Sequence, residues 1–111
     1  MWNKLEAMCG RIPELERLMN DPSVVGNPRE MQRVGRELSE LRPIAQAYDR
    51  YRKIAQELEE NRQLLETEKD AEMRSMAREE VSKLSEEQER LAAEIRILLL
   101  PRDPNDEKNI L

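Results

Sequence analysis

The chain has 111 residues, of which 24 are acidic and 19 basic, so its net charge is −5 and its pI is near 5.0. It contains one Cys, no His and no Phe, and only 3% of its residues are aromatic. Without His, both the usual proton shuttle near neutral pH and the commonest metal ligand are missing. The composition therefore predicts a charged helical domain that is not an enzyme and holds no metal or cofactor.

The cysteine content and the apolar runs indicate the cellular compartment. Cys9 cannot form an internal disulfide, which favours a reducing compartment. We interpret it as a packing residue; the alternative, a reactive thiol, lacks a His to activate it. The longest apolar run, residues 97–100, is far too short to cross a bilayer, and the charged first 18 residues do not form a signal peptide. We expect a cytoplasmic protein with no membrane or DNA partner.

The first predicted helix covers roughly the first 19 residues. Its apolar residues are spaced three and four apart, which places them on one stripe: Leu5, Met8, Ile12, Leu15 and Met19. Pro13 lies beside this stripe and has no backbone N–H to donate. The sequence therefore predicts one bent helix or two short ones.

A second helix is predicted from residue 28 to about residue 66. The residues before it are rich in turn formers, with Asn27 as the N-cap, Pro28 in the first helical position and Glu30 completing a capping box. Its apolar stripe is Met31, Val34, Leu38, Leu41, Ala45, Tyr48, Ala55, Leu58 and Leu65, widened by Ile44, Tyr51 and Ile54. Pro43 predicts a kink or a break in this helix.

A third helix is predicted from an N-cap at Asp70 to a stop at Pro101. Its stripe has heptad spacing: Met73, Ala77, Val81, Leu84, Gln88, Leu91, Ile95 and Leu98. Neither Gly nor Pro marks a turn before it, but one continuous rod would leave its stripe uncovered. We therefore predict an all-α fold with three main helices: a long antiparallel, coiled-coil-like hairpin with the N-terminal helix packed on it.

Two basic clusters in the second helix are candidate contacts to an RNA backbone. The clusters are Arg29, Arg33 and Arg36, and Arg50, Arg52 and Lys53. Arginines on one helical face can each meet a phosphate. The alternative is a solvated face in which Glu37 and Glu40 pair with Arg33 and Arg36. The acidic pI and the lack of interleaved aromatic residues favour this alternative.

The last residues differ in character from the helices before them. Residues 98–109 read Leu-Leu-Leu-Pro-Arg-Asp-Pro-Asn-Asp-Glu-Lys-Asn, a helix end followed by a polar turn. We expect residues 1–100 to form a helical domain and residues 101–111 to be a linker and the start of a missing central domain. Residues 98–109 closely resemble the junction between the N-terminal helical domain and the central domain of the bacterial peptide chain release factor 1 family. Residues 1–7, 41–48 and 70–77 agree with that resemblance.

The resemblance implies a function that the parent protein carries out elsewhere in its chain. Family members enter the ribosome, read UAA and UAG through a Pro-x-Thr-type tripeptide, and trigger peptidyl-tRNA hydrolysis with a Gly-Gly-Gln loop. Neither motif occurs in these 111 residues. The resemblance thus implies an accessory domain near the base of the large-subunit stalk, where it could influence another termination factor.

A different class of function is also compatible with the sequence. A free-standing coiled-coil adaptor would use exposed stripe leucines to bind a partner helix, and the candidates are Leu58, Leu65, Leu84 and Leu91. Bare apolar surface on an isolated domain also predicts self-association.

Overall fold

A computed structural model describes residues 2–101 of the chain. Its helices are α1 (Trp2–Met19), α2 (Pro22–Val25), α3 (Pro28–Thr67) and α4 (Ala71–Leu98). The predicted all-α fold is confirmed, with three long helices and one single-turn helix, α2, within the predicted turn region. The proposed linker lies outside the described residues except for Pro101, so the predicted domain boundary stays a prediction.

The helices form an elongated molecule. α3 and α4 pack along each other as an antiparallel hairpin, and α1 packs against the N-terminal half of α3. The principal dimensions are 63 × 37 × 21 Å, because the hairpin extends well beyond the end of α1. No helix of the described part combines the length and the apolar character of a membrane span.

Three hydrophobic clusters lie along this molecule. The first, where α1, α3 and α4 meet, contains Leu5, Ile44, Ala47, Tyr48 and Ile95. The second joins α1, α2 and the start of α3 and contains Leu15, Val24, Val34, Leu38 and Leu41. The third joins only α3 and α4 and contains Ile54, Leu58, Leu84 and Leu91. The hairpin therefore has a two-helix part that α1 does not cover.

The third cluster corrects the structural basis of the adaptor hypothesis. Leu58, Leu84 and Leu91 are at most 4% exposed, because each packs across the hairpin, and Leu65 is half-buried. The prediction that these leucines face a partner helix is therefore wrong for three of the four, because the opposite helix of the hairpin covers them.

The predicted start of α3 is largely confirmed. The Asn27 side-chain oxygen accepts hydrogen bonds from the backbone N–H groups of Arg29 and Glu30, at 3.2 and 3.4 Å, and Pro28 occupies the first turn. The second half of the predicted capping box is wrong. The Asn27 N–H already donates to the Val24 carbonyl at 2.9 Å, and the Glu30 carboxylate accepts hydrogen bonds from Arg33 instead.

The two prolines predicted to interrupt helices lie inside continuous ones. α1 runs through Pro13 and α3 runs through Pro43. The alternative of two segments is therefore wrong at both positions. Burial on either side, of Leu41 and Ile44 around Pro43 for example, keeps the segments in one helix despite the missing backbone donor.

The turn between α3 and α4 consists of residues 68–70. The Glu68 N–H donates to the Leu64 carbonyl at 2.8 Å and ends α3, and the Asp70 side chain accepts from the Glu72 N–H at 3.3 Å and begins α4. The Arg74 guanidinium donates to the carbonyls of Leu65 and Glu68. These bonds satisfy helix-end groups without Gly or Pro, and the predicted hairpin and N-cap at Asp70 are confirmed.

The apolar stripe of α3 changes side along the helix. Val34, Leu38 and Leu41 face α1 and α2, whereas Ile54 and Leu58 face α4. The spacing of apolar residues in the sequence predicts a single widened stripe for both groups. In the structure Ile44 and Ile54 are buried while Ala45 and Ala55 are only half-buried, and two positions predicted for the stripe of α4, Met73 and Leu98, are exposed.

Candidate nucleic-acid interface

The first basic cluster lies in the first three turns of α3. Arg29, Arg33 and Arg36 are four and three residues apart, so at about 100° per residue they lie within a sector of about 60° on the helix. All three are exposed. They line a shallow depression of about 390 Å³ together with Gln32, Glu37 and Glu40. The structure therefore brings the three predicted arginines onto one open face.

This face is open because α4 ends before reaching it. Arg33 precedes Ala47 by 14 residues, which is two heptads, so it continues the same side of α3 that α4 covers further along. α4 ends at Leu98, and its last buried residue, Ile95, packs at the level of Ile44. The cluster around Val34 draws its buried residues from α1, α2 and α3 only. The arginines thus occupy the uncovered continuation of the hairpin seam.

The ion pairs around this face differ from those expected. Arg33 pairs with Glu30, at 2.8 Å between Nη2 and Oε2, and not with Glu37. Glu37 receives two hydrogen bonds from Arg11 of α1, at 2.9 and 3.2 Å. Among residues 2–101, no carboxylate oxygen lies within 4.0 Å of a side-chain nitrogen of Arg29 or Arg36. The arginine face therefore retains positive charge that local carboxylates do not neutralise.

These contacts lower the pKa values of two carboxyl groups. The hydrogen bonds from Arg33 lower the pKa of Glu30, and those from Arg11 lower the pKa of Glu37. Both groups thus stay ionised at neutral pH. Glu37 lines the depression, but its carboxylate is engaged by Arg11 of α1.

The second basic cluster does not form a comparable face. Arg50, Arg52 and Lys53 are exposed but spread over about 160° of the helix circumference. Lys53 pairs with Asp49 at 3.2 Å, and the Arg52 guanidinium lies 5.6 Å from the centre of the Tyr48 ring. Two of the three cations are thus engaged within α3.

Sequence reasoning missed the residues that attach α1 behind this face. Arg11 is 26 residues from Glu37, so no local spacing pointed to their pair. Trp2 stacks on Tyr51 and Tyr48, with ring centres 4.5 and 6.0 Å apart. An N-terminal Trp and two tyrosines one turn apart were the available signal, but periodicity alone did not connect them.

Cys9 lies beside the first hydrophobic cluster, where it packs as a small apolar group. Burial raises the pKa of its thiol above the usual value, while the nearby Arg52 acts in the opposite direction. A raised pKa disfavours the thiolate that a reactive cysteine needs, which supports its interpretation as a packing residue.

Comparison with known proteins connects this arrangement to a family. A family profile described as the PCRF domain matches residues 8–111. The chain belongs to the PCRF domain family. The match covers nearly the whole chain, including the basic face, the hairpin and the junction segment on which the resemblance was based, and that resemblance is confirmed.

Individual relatives of this PCRF domain chain carry one name. It is 46% identical to a protein named Peptide chain release factor 1 from Pelobacter propionicus, and 45% and 36% identical to proteins of the same name from Geobacter sulfurreducens and Bacillus subtilis. Each comparison covers 100% of this chain but only 30 or 31% of the relative. The chain therefore spans about a third of the length of these relatives. None of the solved structures compared with it is a match.

Proposed function

We propose that this chain acts as the N-terminal helical domain of a translation release factor. The observation that carries the proposal is the similarity of all 111 residues to proteins named Peptide chain release factor 1. In this proposal, the parent terminates translation at UAA and UAG and triggers peptidyl-tRNA hydrolysis through residues beyond the 111 present here. This segment is an accessory domain that contacts the ribosome near the base of the large-subunit stalk and influences another termination factor there.

The face of Arg29, Arg33 and Arg36 is the proposed contact with ribosomal RNA. Its support is that the three guanidinium groups share one open side of α3 and that two of them have no carboxylate within ion-pair distance in the described part of the chain. Arginine side chains spaced along a helix suit successive phosphates of an RNA backbone. The chain's net charge of −5 makes such a contact local and not a general affinity for nucleic acid.

The second cluster is proposed as a weaker contact on the same helix. Arg50 begins about 21 Å from Arg36 along α3, at a rise of about 1.5 Å per residue. Arg52 and Lys53 would have to exchange their contacts with Tyr48 and Asp49 for phosphate. We therefore assign the larger share of RNA binding to the first cluster.

A charge-removal variant tests this interface. Replacing Arg29, Arg33 and Arg36 by Gln should weaken binding to a transcript of stalk-base ribosomal RNA and to whole ribosomes. Because about three phosphate contacts are lost, the slope of log K against log salt concentration should fall by about 2 to 3. Filter binding at several salt concentrations measures both quantities.

The matched control removes three exposed arginines from the hairpin, at Arg62, Arg78 and Arg90. This control has the same change in net charge and should bind RNA as the unsubstituted chain does. Equal losses in the two triple variants would show only a general charge effect and would contradict the proposed face.

A further inference from the structure

The two-helix part of the hairpin carries an apolar groove that no other helix of the described chain covers. The groove runs along one side of the seam between α3 and α4 and is lined by Asn61, Leu64, Met73, Met76, Ala77 and Glu80. Met73 and Met76 are 43% and 62% exposed, and they lie side by side in one groove, which makes a contiguous apolar patch. The α4 residues of the groove follow the i, i+3, i+4, i+7 spacing of one helical face.

The groove lies within a strongly acidic region. Residues 54–91, here called the distal arm, contain twelve acidic and six basic side chains, a net charge of −6, whereas the rest of the described chain has a net charge of +2. All ion pairs within 4.0 Å in residues 2–101 involve positions 11–53, so none lies in the distal arm. The negative charge of the distal arm is thus not neutralised by short internal contacts.

The acidic side chains flank the groove on both sides. On α3, Glu57 shares the helical face of Asn61 and Leu64 by its spacing of four and seven residues, whereas Glu68 lies in the turn that follows α3. On α4, Glu80 lines the groove itself and Glu72 precedes Met73. Basic residues also adjoin the groove in sequence: Arg62, Arg74 and Arg78 each follow a lining residue. Lys83 lies three residues after Glu80 on the same stripe. The surface therefore combines apolar side chains at its centre with charged neighbours of both signs, within an arm whose net charge is −6.

We propose that the distal arm is a docking surface for a basic amphipathic helix of a partner protein. Apolar residues of the partner would contact Met73 and Met76, whose unbranched side chains adapt to different shapes. Lys or Arg side chains beside them would face Glu57, Glu80 and their neighbours. Charge complementarity selects this occupant: a second distal arm or an RNA strand would bring like charge against a region of net charge −6.

This docking surface is independent of the proposed RNA contact. The arginine face lies at the other end of α3, about 40 Å from the groove along the helix at the usual rise of about 1.5 Å per residue. One chain could therefore meet RNA with its basic end and a basic protein with its acidic arm. Failure of either contact leaves the other unaffected.

The test uses a synthetic peptide of about five helical turns that repeats Leu at i, i+3, i+4 and i+7, with Lys at most other positions. A sister peptide has Glu in place of every Lys. We expect the full chain to bind the Lys peptide saturably in fluorescence anisotropy, to bind the Glu peptide far more weakly, and to show amide NMR shifts around the groove. Replacing Met73 and Met76 by Ala should weaken binding of the Lys peptide about tenfold or more.

Two further variants sharpen this result. Glu57→Gln with Glu80→Gln should weaken binding and reduce its dependence on salt. A control with Val25→Ala and Ile97→Ala removes two other exposed apolar side chains, 53% and 68% exposed, outside the distal arm and should change the affinity less than about twofold. All substituted positions are exposed, so circular dichroism should show unchanged helix content.

Several outcomes would overturn the proposal. These are failure of the Lys peptide to bind, equal binding of the two peptides, and unchanged affinity of the Met73→Ala, Met76→Ala variant. Sedimentation showing a dimer that this variant abolishes would identify a second copy as the occupant instead. Shifts of the groove amides by an RNA oligonucleotide would likewise replace the basic helix with nucleic acid.

Discussion

The contact between Arg11 and Glu37 shows how single residues determine the position of α1. Each side chain is about one-third exposed, and the bidentate geometry, at 2.9 and 3.2 Å, links two helices whose pairing residues are 26 positions apart. The sequence predicted Glu37 to pair with Arg33 because only spacing within a helix can be read from one sequence. Glu37 pairs with Arg11 instead because α1 packs beside α3 and Arg33 is already paired with Glu30.

The Arg11 contact makes stability depend on pH in a defined direction. Because hydrogen bonds from Arg11 lower the pKa of Glu37 in the folded chain, the stabilisation is fully present above its unfolded pKa and is lost as the pH falls through the lower folded value. Glu37→Gln should therefore lower Tm by a few degrees at pH 7, and the difference from the unsubstituted chain should shrink towards pH 3. Thermal melts followed by circular dichroism measure this.

Glu40→Gln is the matched control, since Glu40 lies one turn further along the same helix and is exposed. It should leave Tm nearly unchanged over the same pH range. A pH-independent loss in Glu37→Gln, or an equal loss in Glu40→Gln, would contradict the role of the cross-helix pair.

At the scale of elements, the sequence predicted helix ends better than helix faces. Asn27, Asp70 and the stop before Pro101 mark ends through local chemistry, and the structure places the caps and ends there. The change of side along α3 was not predictable in the same way. Two partner helices each cover a different part of α3, and a single list of apolar positions does not record which partner lies where.

Pro43 illustrates the limit of local rules within α3. A proline at this position removes the hydrogen bond to the Ser39 carbonyl, yet the helix continues because residues on both sides are buried by α1 and α4. Tertiary packing has overridden the local preference. The missing bond should still reduce the stability of the folded chain.

Replacing Pro43 by Ala tests this explanation. Because Ala restores a backbone donor inside an existing helix, the free energy of unfolding should rise by about 1 to 3 kcal/mol in urea denaturation. Pro28→Ala is the matched control: Pro28 occupies the first turn, where no intrahelical bond is lost, so the change should be under about 0.5 kcal/mol. A decrease in stability for Pro43→Ala would contradict the account.

At the scale of the whole molecule, charge and shape divide the chain into two ends. The basic face lies beyond the C-terminal end of α4, and the acidic arm lies beyond the N-terminal end of α1, where Trp2 stacks on Tyr51. The arginines of the basic face were predictable from their spacing. Their exposure was not, because it depends on the level at which α4 stops beside α3, and the Met groove depends likewise on which side of α4 turns towards α3.

Our central proposal is that these 111 residues act as the N-terminal helical domain of a release factor, with the chemistry of peptide release carried by other parts of that protein. The most direct measurement exchanges the matching 111-residue segment of the Geobacter sulfurreducens relative for this chain and assays stop-codon-dependent peptide release. We expect the chimera to release peptide at a rate close to that of the unmodified relative and the isolated 111 residues to release none. A folded chimera no more active than the relative without the segment, or peptide release by the isolated chain, would contradict it.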